Sequence, residues 1–150
     1  MRTLRMKGLT LIELVIAMFI VGVLSAVSYI AATTFHYRAQ ISAAVADIRN
    51  IEGKLYIYYA QNAIMPPSLA EVGMDNRRDP WKRSYEYWPI TGDPHQPVRK
   101  DRNLHPLNAD FDLFSVGKDG DTNLALTAHA SQDDIIRASD GKFVGLASKY

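Results

Sequence analysis

Two places in this 150-residue chain hold residues that could do chemistry. The first is residues 110–140, where seven aspartates (Asp110, Asp112, Asp119, Asp121, Asp133, Asp134 and Asp140) meet only two strong bases, Lys118 and Arg137. Hard divalent cations take about six to eight oxygens from carboxylates, carbonyls and water, and a loop that returns two aspartates beside a third can supply them. Asp119-x-Asp121-x-Asn123 begins like an EF-hand loop, but Leu124 stands where a glycine must turn it and Ala130 where the bidentate glutamate belongs. The bland alternative is a solvated acidic loop in which Asp133 caps a helix at 134–138. The second place is Glu13, the single charged residue of residues 9–35. A carboxylate in hydrocarbon costs roughly 2.5–3.5 kcal/mol on insertion scales, so it needs a job and a partner.

Other chemistries find little support. There are no cysteines, which excludes disulfides and thiolate metal sites. His36, His95, His105 and His129 share no spacing, no glycine-rich phosphate loop occurs, and no nucleophile elbow surrounds Ser115. The chain therefore reads as something other than an enzyme. Arg77, Arg78, Lys82 and Arg83, with Trp81, Tyr85, Tyr87 and Trp88, superficially resemble a nucleic-acid surface. A net charge of +1 argues against one, and the aromatics read better as anchors of a sheet on a helix.

The elements that must position these residues follow from periodicity. Leu9 to Thr34 is a 26-residue apolar run, longer than the roughly 20 residues that span a bilayer. Arg2, Arg5 and Lys7 precede it with no acid, which predicts a cytoplasmic N-terminus. A secretory signal peptide is the competing reading; the length of the run, the lack of a small-x-small cleavage site and Glu13 count against it. Ile41, Val45, Ile48, Ile51, Leu55 and Tyr58/Tyr59 then recur at spacings of three and four, one apolar stripe of a helix. The pattern predicts one helix from about Leu9 to about Asn62, ended by Pro66-Pro67. Ser68 and Glu71 sit as a capping box for a short helix at 66–74. Residues 84–88, 109–116 and 141–147 read as strands, and the proline-rich residues 89–109 as a long loop. The fold class is thus α+β, one long helix on a small antiparallel sheet with a C-terminal loop.

Lys7-Gly-Leu-Thr-Leu-Ile-Glu-Leu14 resembles the class III signal of type IV pilins and pseudopilins. The resemblance implies cleavage after Gly8, N-methylation of Leu9, and an assembly role for Glu13, fifth from the cut, facing the amine of a neighbouring subunit. A glycine before the scissile bond permits close approach of a protease. Removing residues 1–8 takes away three bases and no acid and moves the net charge from +1 to −2. Leu9 replaces the commoner phenylalanine, and Ile30 stands where family members often have proline. Asp79-Pro80-Trp81, Tyr85-x-Tyr87, Phe111 to Gly120 and Asp134-Ile135 are similar to the major pseudopilin of type II secretion, with Lys82 and Ser84 in place of the usual Gly and Pro. The loops at 89–109 and between Asp119 and Asp133 are longer than that family leads one to expect.

Taken with the resemblance, the chain divides into a leader (1–8), a transmembrane and filament-core helix (9–35) and a pilin-like periplasmic head (36–150). The family binds calcium in the acidic loop. Carried over by motif, Asp119 and Asp134 are ligands, then Asp133, with Ser115 and backbone oxygens near Leu113 and Val116; the family's other acid falls at Gln132. The implied function is a structural subunit of the type II secretion pseudopilus, polymerising from the inner membrane to drive export. Its implied partners are further copies of itself, minor pseudopilins, the prepilin peptidase and an inner-membrane assembly platform, with no nucleic acid. The alternatives are a type IV pilus or DNA-uptake pilin, and a membrane-anchored calcium-binding module that never polymerises.

Overall fold

The computed structural model describes residues 10–93 and 95–150, without the side chains of residues 30 and 31. Gly8, Leu9 and the leader 1–8 lie outside the described residues. The chain forms two units that divide between Arg38 and Ala39.

A single helix, α1 (Leu11–Asn62), runs through both. Residues of its first part are apolar on every side, and Leu14, Ile16, Phe19, Val23 and Val27 are all exposed in the isolated chain. An 18-residue window of α1 has a mean hydropathy of 2.5 and none of it is buried, so the helix is long and apolar enough to cross a membrane. Its few polar side chains bond within the helix: Ser25 Oγ donates to Val21 O (2.7 Å) and Ser28 Oγ to Leu24 O (2.8 Å). That removes the cost of leaving hydroxyls unpaired in hydrocarbon.

In the second unit the helix becomes one-sided. Ala44, Ile48, Ile51 and Leu55 are fully buried, as the spacing predicts. The helix closes at Ala63, which takes a left-handed φ of 60° and donates its N–H to Tyr59 O (2.7 Å). The expected capped helix at 66–74 is only a 3-10 turn, Leu69–Val72. Ser68 makes no side-chain capping bond, and the turn is instead closed at its far end by Gly73 at φ 65°.

The sheet has four strands rather than three: β1 (Glu86–Pro89), β2 (Phe111–Ser115), β3 (Ile135–Ala138) and β4 (Phe143–Leu146), antiparallel in that order. β3 occupies the segment that had a helix as its alternative reading. Phe114 pairs with Ile136, and Arg137 with Val144. Successive side chains alternate between faces. Phe111, Leu113 and Ile135 meet the α1 stripe, with Tyr85 and Trp81. Phe114, Ile136 and Ala138 meet a second cluster with Leu107, Leu126 and Ala147.

The sheet is therefore covered on both faces, which explains why all five residues of β2 are buried. The second cover is built by the two long loops. Lys100 pairs with Pro106 and with Ala125, and Leu126 N donates to Lys100 O (3.0 Å).

Each face also buries an arginine. Arg137, with no side-chain exposure, donates to Glu52 Oε1 (2.7 Å), Asp110 Oδ1 (2.8 Å) and Tyr56 Oη (2.8 Å) and lies over the Phe111 ring at 4.0 Å. Burial pushes the Asp110 carboxyl up, but bonds from Arg137, Phe111 N and Tyr56 outweigh it and hold the group below its ordinary value. Removing one partner of a buried ion pair leaves the others uncompensated. Arg137→Ala is expected to cost about 3–5 kcal/mol in denaturant unfolding followed by tryptophan fluorescence; a loss below about 1 kcal/mol, the worth of an exposed pair, would contradict the network's role.

Candidate functional site

Glu13 is the first candidate, and the described residues give it local partners. Thr10 precedes the helix, and Thr10 N and Oγ1 both donate to Glu13 Oε2 (2.9 and 2.8 Å). Glu13 N donates back to Thr10 Oγ1 (3.3 Å). This is a reciprocal capping box, which satisfies helix-end N–H groups that hydrocarbon cannot. The signal for it, Thr-x-x-Glu, stands in the sequence and was read only as part of a processing motif.

The second candidate is the loop between β2 and β3. Its residues come near one another but their oxygens face different partners. Asp133 Oδ2 accepts the N–H groups of Lys118 (2.6 Å) and Asp119 (2.9 Å). Asp119 Oδ1 accepts Asp121 N (2.9 Å). Asp134 is fully buried on the other side of the loop, where its Oδ2 takes Arg99 Nη2 (2.6 Å) and Thr122 Oγ1 (2.7 Å). Burial raises the Asp134 carboxyl to about 6, and the Asp133 charge adds to this, while Arg99 and Thr122 pull it back. Ser115 Oγ donates to Asp79 Oδ2 (2.6 Å), and Leu113 is paired with Tyr87 inside the sheet. Val116 packs against the second cluster. Among the described residues no group of three or more His, Cys, Asp or Glu side chains could hold a metal ion. The predicted ligands do not converge on one point: Asp119 Oδ1, Asp133 Oδ2, Asp134 Oδ2 and Ser115 Oγ each bond a different partner within the chain, and the buried Asp134 Oδ1 makes no hydrogen bond among the described residues.

Two arginines take the central places: Arg83, which the sequence offers only as part of a basic segment, and Arg99, which no local pattern marks. Arg83 Nη1 donates to the carbonyls of Gly117 (2.6 Å) and Lys118 (3.1 Å), and its Nη2 to that of Asp119 (3.3 Å). Asp79 aims it. Asp79 Oδ1 accepts Trp81 N (2.9 Å) and Arg83 N (2.8 Å), in a turn where Lys82 adopts φ 71°. That left-handed conformation accounts for the glycine usual at this position. Arg99 is buried over the Phe114 ring at 4.2 Å, and its own N–H meets Asp112 Oδ2 (2.7 Å). The aromatic residues of the basic segment are spent in packing: Tyr85 Oη bonds Asp47 Oδ2 (3.0 Å), Tyr87 Oη bonds Pro66 O (2.9 Å), and Trp88 meets Phe114 edge-on. Burial raises the phenol of Tyr85, and the Asp47 bond adds to it.

Residues 4–29 match the prokaryotic N-terminal methylation motif. Over 74 residues the chain is 38% identical to the type IV major pilin protein PilE of Neisseria gonorrhoeae, a stretch that is 49% of this chain and 44% of that one. The chain thus spans less than half the length of this relative. No solved structure matches. The chain is pilin-like. It has a methylation motif, a long N-terminal helix and a small antiparallel sheet against the helix's second part.

Gly120 tests the geometry around Arg83. A Cβ there would lie 2.5 Å from the guanidinium carbon, whereas one at Gly73 would touch nothing, and both residues have positive φ. Arg83 can swing away from such a Cβ only by giving up its bonds to the Gly117, Lys118 and Asp119 carbonyls, so Gly120→Ala is expected to cost those bonds on top of the roughly 1–2 kcal/mol of left-handed strain that Gly73→Ala incurs. Equal losses in denaturant midpoint would mean that Arg83 does not fill that space.

Proposed function

We propose that the chain is a structural, non-enzymatic filament subunit, stored in the inner membrane through residues 9–35 with its head, residues 36–150, in the periplasm. A prepilin peptidase removes residues 1–8 after Gly8, and Leu9 is N-methylated. The observation that carries this reading is Glu13: a carboxylate inside the methylation motif, on the first part of a helix where Leu14, Ile16, Phe19, Val23 and Val27 are all exposed. Such a surface gains by leaving lipid for contact with identical helices only if its charge finds a partner, and a new amine at Leu9 of a neighbour would supply one. Until then Thr10 holds the carboxylate.

The finer reading is the pseudopilus of type II secretion, with minor pseudopilins and an assembly platform as partners. Asp79-Pro80-Trp81 and the Phe111–Gly120 segment favour it, and both have work in the fold: Asp79 organises one turn and Ser115 ties it to β2. The likeness to PilE favours the second reading, a surface type IV pilus. Protein secretion against twitching and DNA uptake in a deletion strain separates the two.

Glu13→Gln keeps the side chain's shape and removes its charge. It is expected to leave membrane insertion and cleavage intact while lowering sheared or sedimentable filament by about tenfold or more, the scale of a lost charge pair. Undiminished filament in this variant would remove the basis of the subunit reading.

A further inference from the structure

The loop between β2 and β3 is gathered by two opposite charges of the chain itself. Its carbonyls at Gly117, Lys118 and Asp119 converge on the Arg83 guanidinium, and its N–H groups at Lys118 and Asp119 converge on the Asp133 carboxylate. Convergent backbone carbonyls around one positive centre are the arrangement a hard cation would otherwise create. On the inner side Arg99 donates to Oδ2 of the fully buried Asp134, with Thr122 bonded to both, and Asp134 Oδ1 is left without a hydrogen bond among the described residues. We infer that the guanidinium groups of Arg83 and Arg99 are the resident cations of this loop, so that the head folds and holds its shape without calcium.

Calcium takes its oxygens at about 2.3–2.6 Å, so an ion here would have to displace the Arg83 fork from the three carbonyls, and Asp133 Oδ2 and Asp134 Oδ2 each already accept two bonds from within the chain. The space beside Gly120 is filled by Arg83, and Gly117 lies so close to Asp133 that a Cβ would meet its carbonyl oxygen at 2.4 Å. A guanidinium is planar, permanently charged and forked, so it can reach several carbonyls at once and does not dissociate on dilution. The tether pins a long loop, as a bound ion would, but independently of the ionic composition around the protein. The inference stands on the head alone and does not require that the chain polymerise.

The test uses the full chain in detergent micelles, with calcium chloride or EDTA as the added probe. Thermal unfolding is followed by tryptophan fluorescence, and loop exposure by the rate of tryptic cleavage after Lys118. The expected result is the same midpoint and the same cleavage rate in calcium and in EDTA. Arg83→Gln is expected to speed cleavage after Lys118 by about tenfold in either condition, as local opening becomes easier. A calcium-dependent rise of the wild-type midpoint by about 5 °C or more, the effect of a well-filled site, would overturn the inference. So would calcium protection of Lys118 in the wild type, or an unchanged cleavage rate in Arg83→Gln. The wild-type titration needs no variant and decides the matter even if Arg83→Gln fails to fold.

Discussion

A guanidinium group with none of its side chain exposed must find its counter-charges inside the protein. Arg137 does so by drawing together Glu52 and Tyr56, one turn apart on α1, and Asp110, which directly precedes β2, with Phe111 beneath its plane. Asp110 lies 54 residues after Tyr56, so this one residue fixes how the second part of α1 lies on the sheet. Apolar contact alone would allow the Ile48–Ile51–Leu55 stripe to slide over the pleats, because it is not directional. A charged centre with several required partners does not slide. The cost is desolvation, which is recovered only while every partner is in place.

The same device recurs twice more. Arg99 ties the outer cover of the sheet to Asp134, and Arg83 gathers the loop that precedes it. The head thus replaces a larger core with internal ion pairs and forked hydrogen bonds, each linking segments that have little apolar surface of their own. The contrast with residues 11–35 is physical. The head pairs most of its buried polar groups, with Trp81 Nε1, Arg99 Nε and Asp134 Oδ1 as exceptions among the described residues, and builds two apolar clusters, while large apolar side chains of the first part of α1 are exposed. The proposed subunit, held in a membrane and packed by its helices, would use that division.

Much of this could be read from residue order. The helix was visible because its apolar stripe recurs every three to four residues, and β2 because Phe111, Leu113 and Phe114 sit between turn-forming residues. Glu52 reads as one of the polar residues on the other faces of the helix, yet it stands four residues after Ile48 and three before Leu55 and is buried against Arg137. β3 was missed because four residues after an aspartate fit a capped helix as well as a strand. The outer cover was missed for a deeper reason. Arg99 and Asp134 are 35 residues apart, and no local pattern announces such a pair. In the acidic loop, composition counts carboxylates but not the amides, hydroxyl and guanidinium that bond Asp133 and Asp134. Ser68 followed the capping pattern and formed no cap, since its turn is held by Gly73 instead.

Glu13, the methylation motif and the exposed apolar helix acquire a common purpose only if the chain is cut and its new amine is exposed. The most direct measurement is the intact mass of the protein made with and without a prepilin peptidase. The account predicts that the peptidase removes residues 1–8 and that the product carries one added methyl group on Leu9. A chain of unchanged mass in the presence of an active peptidase would contradict it and leave only a membrane anchor.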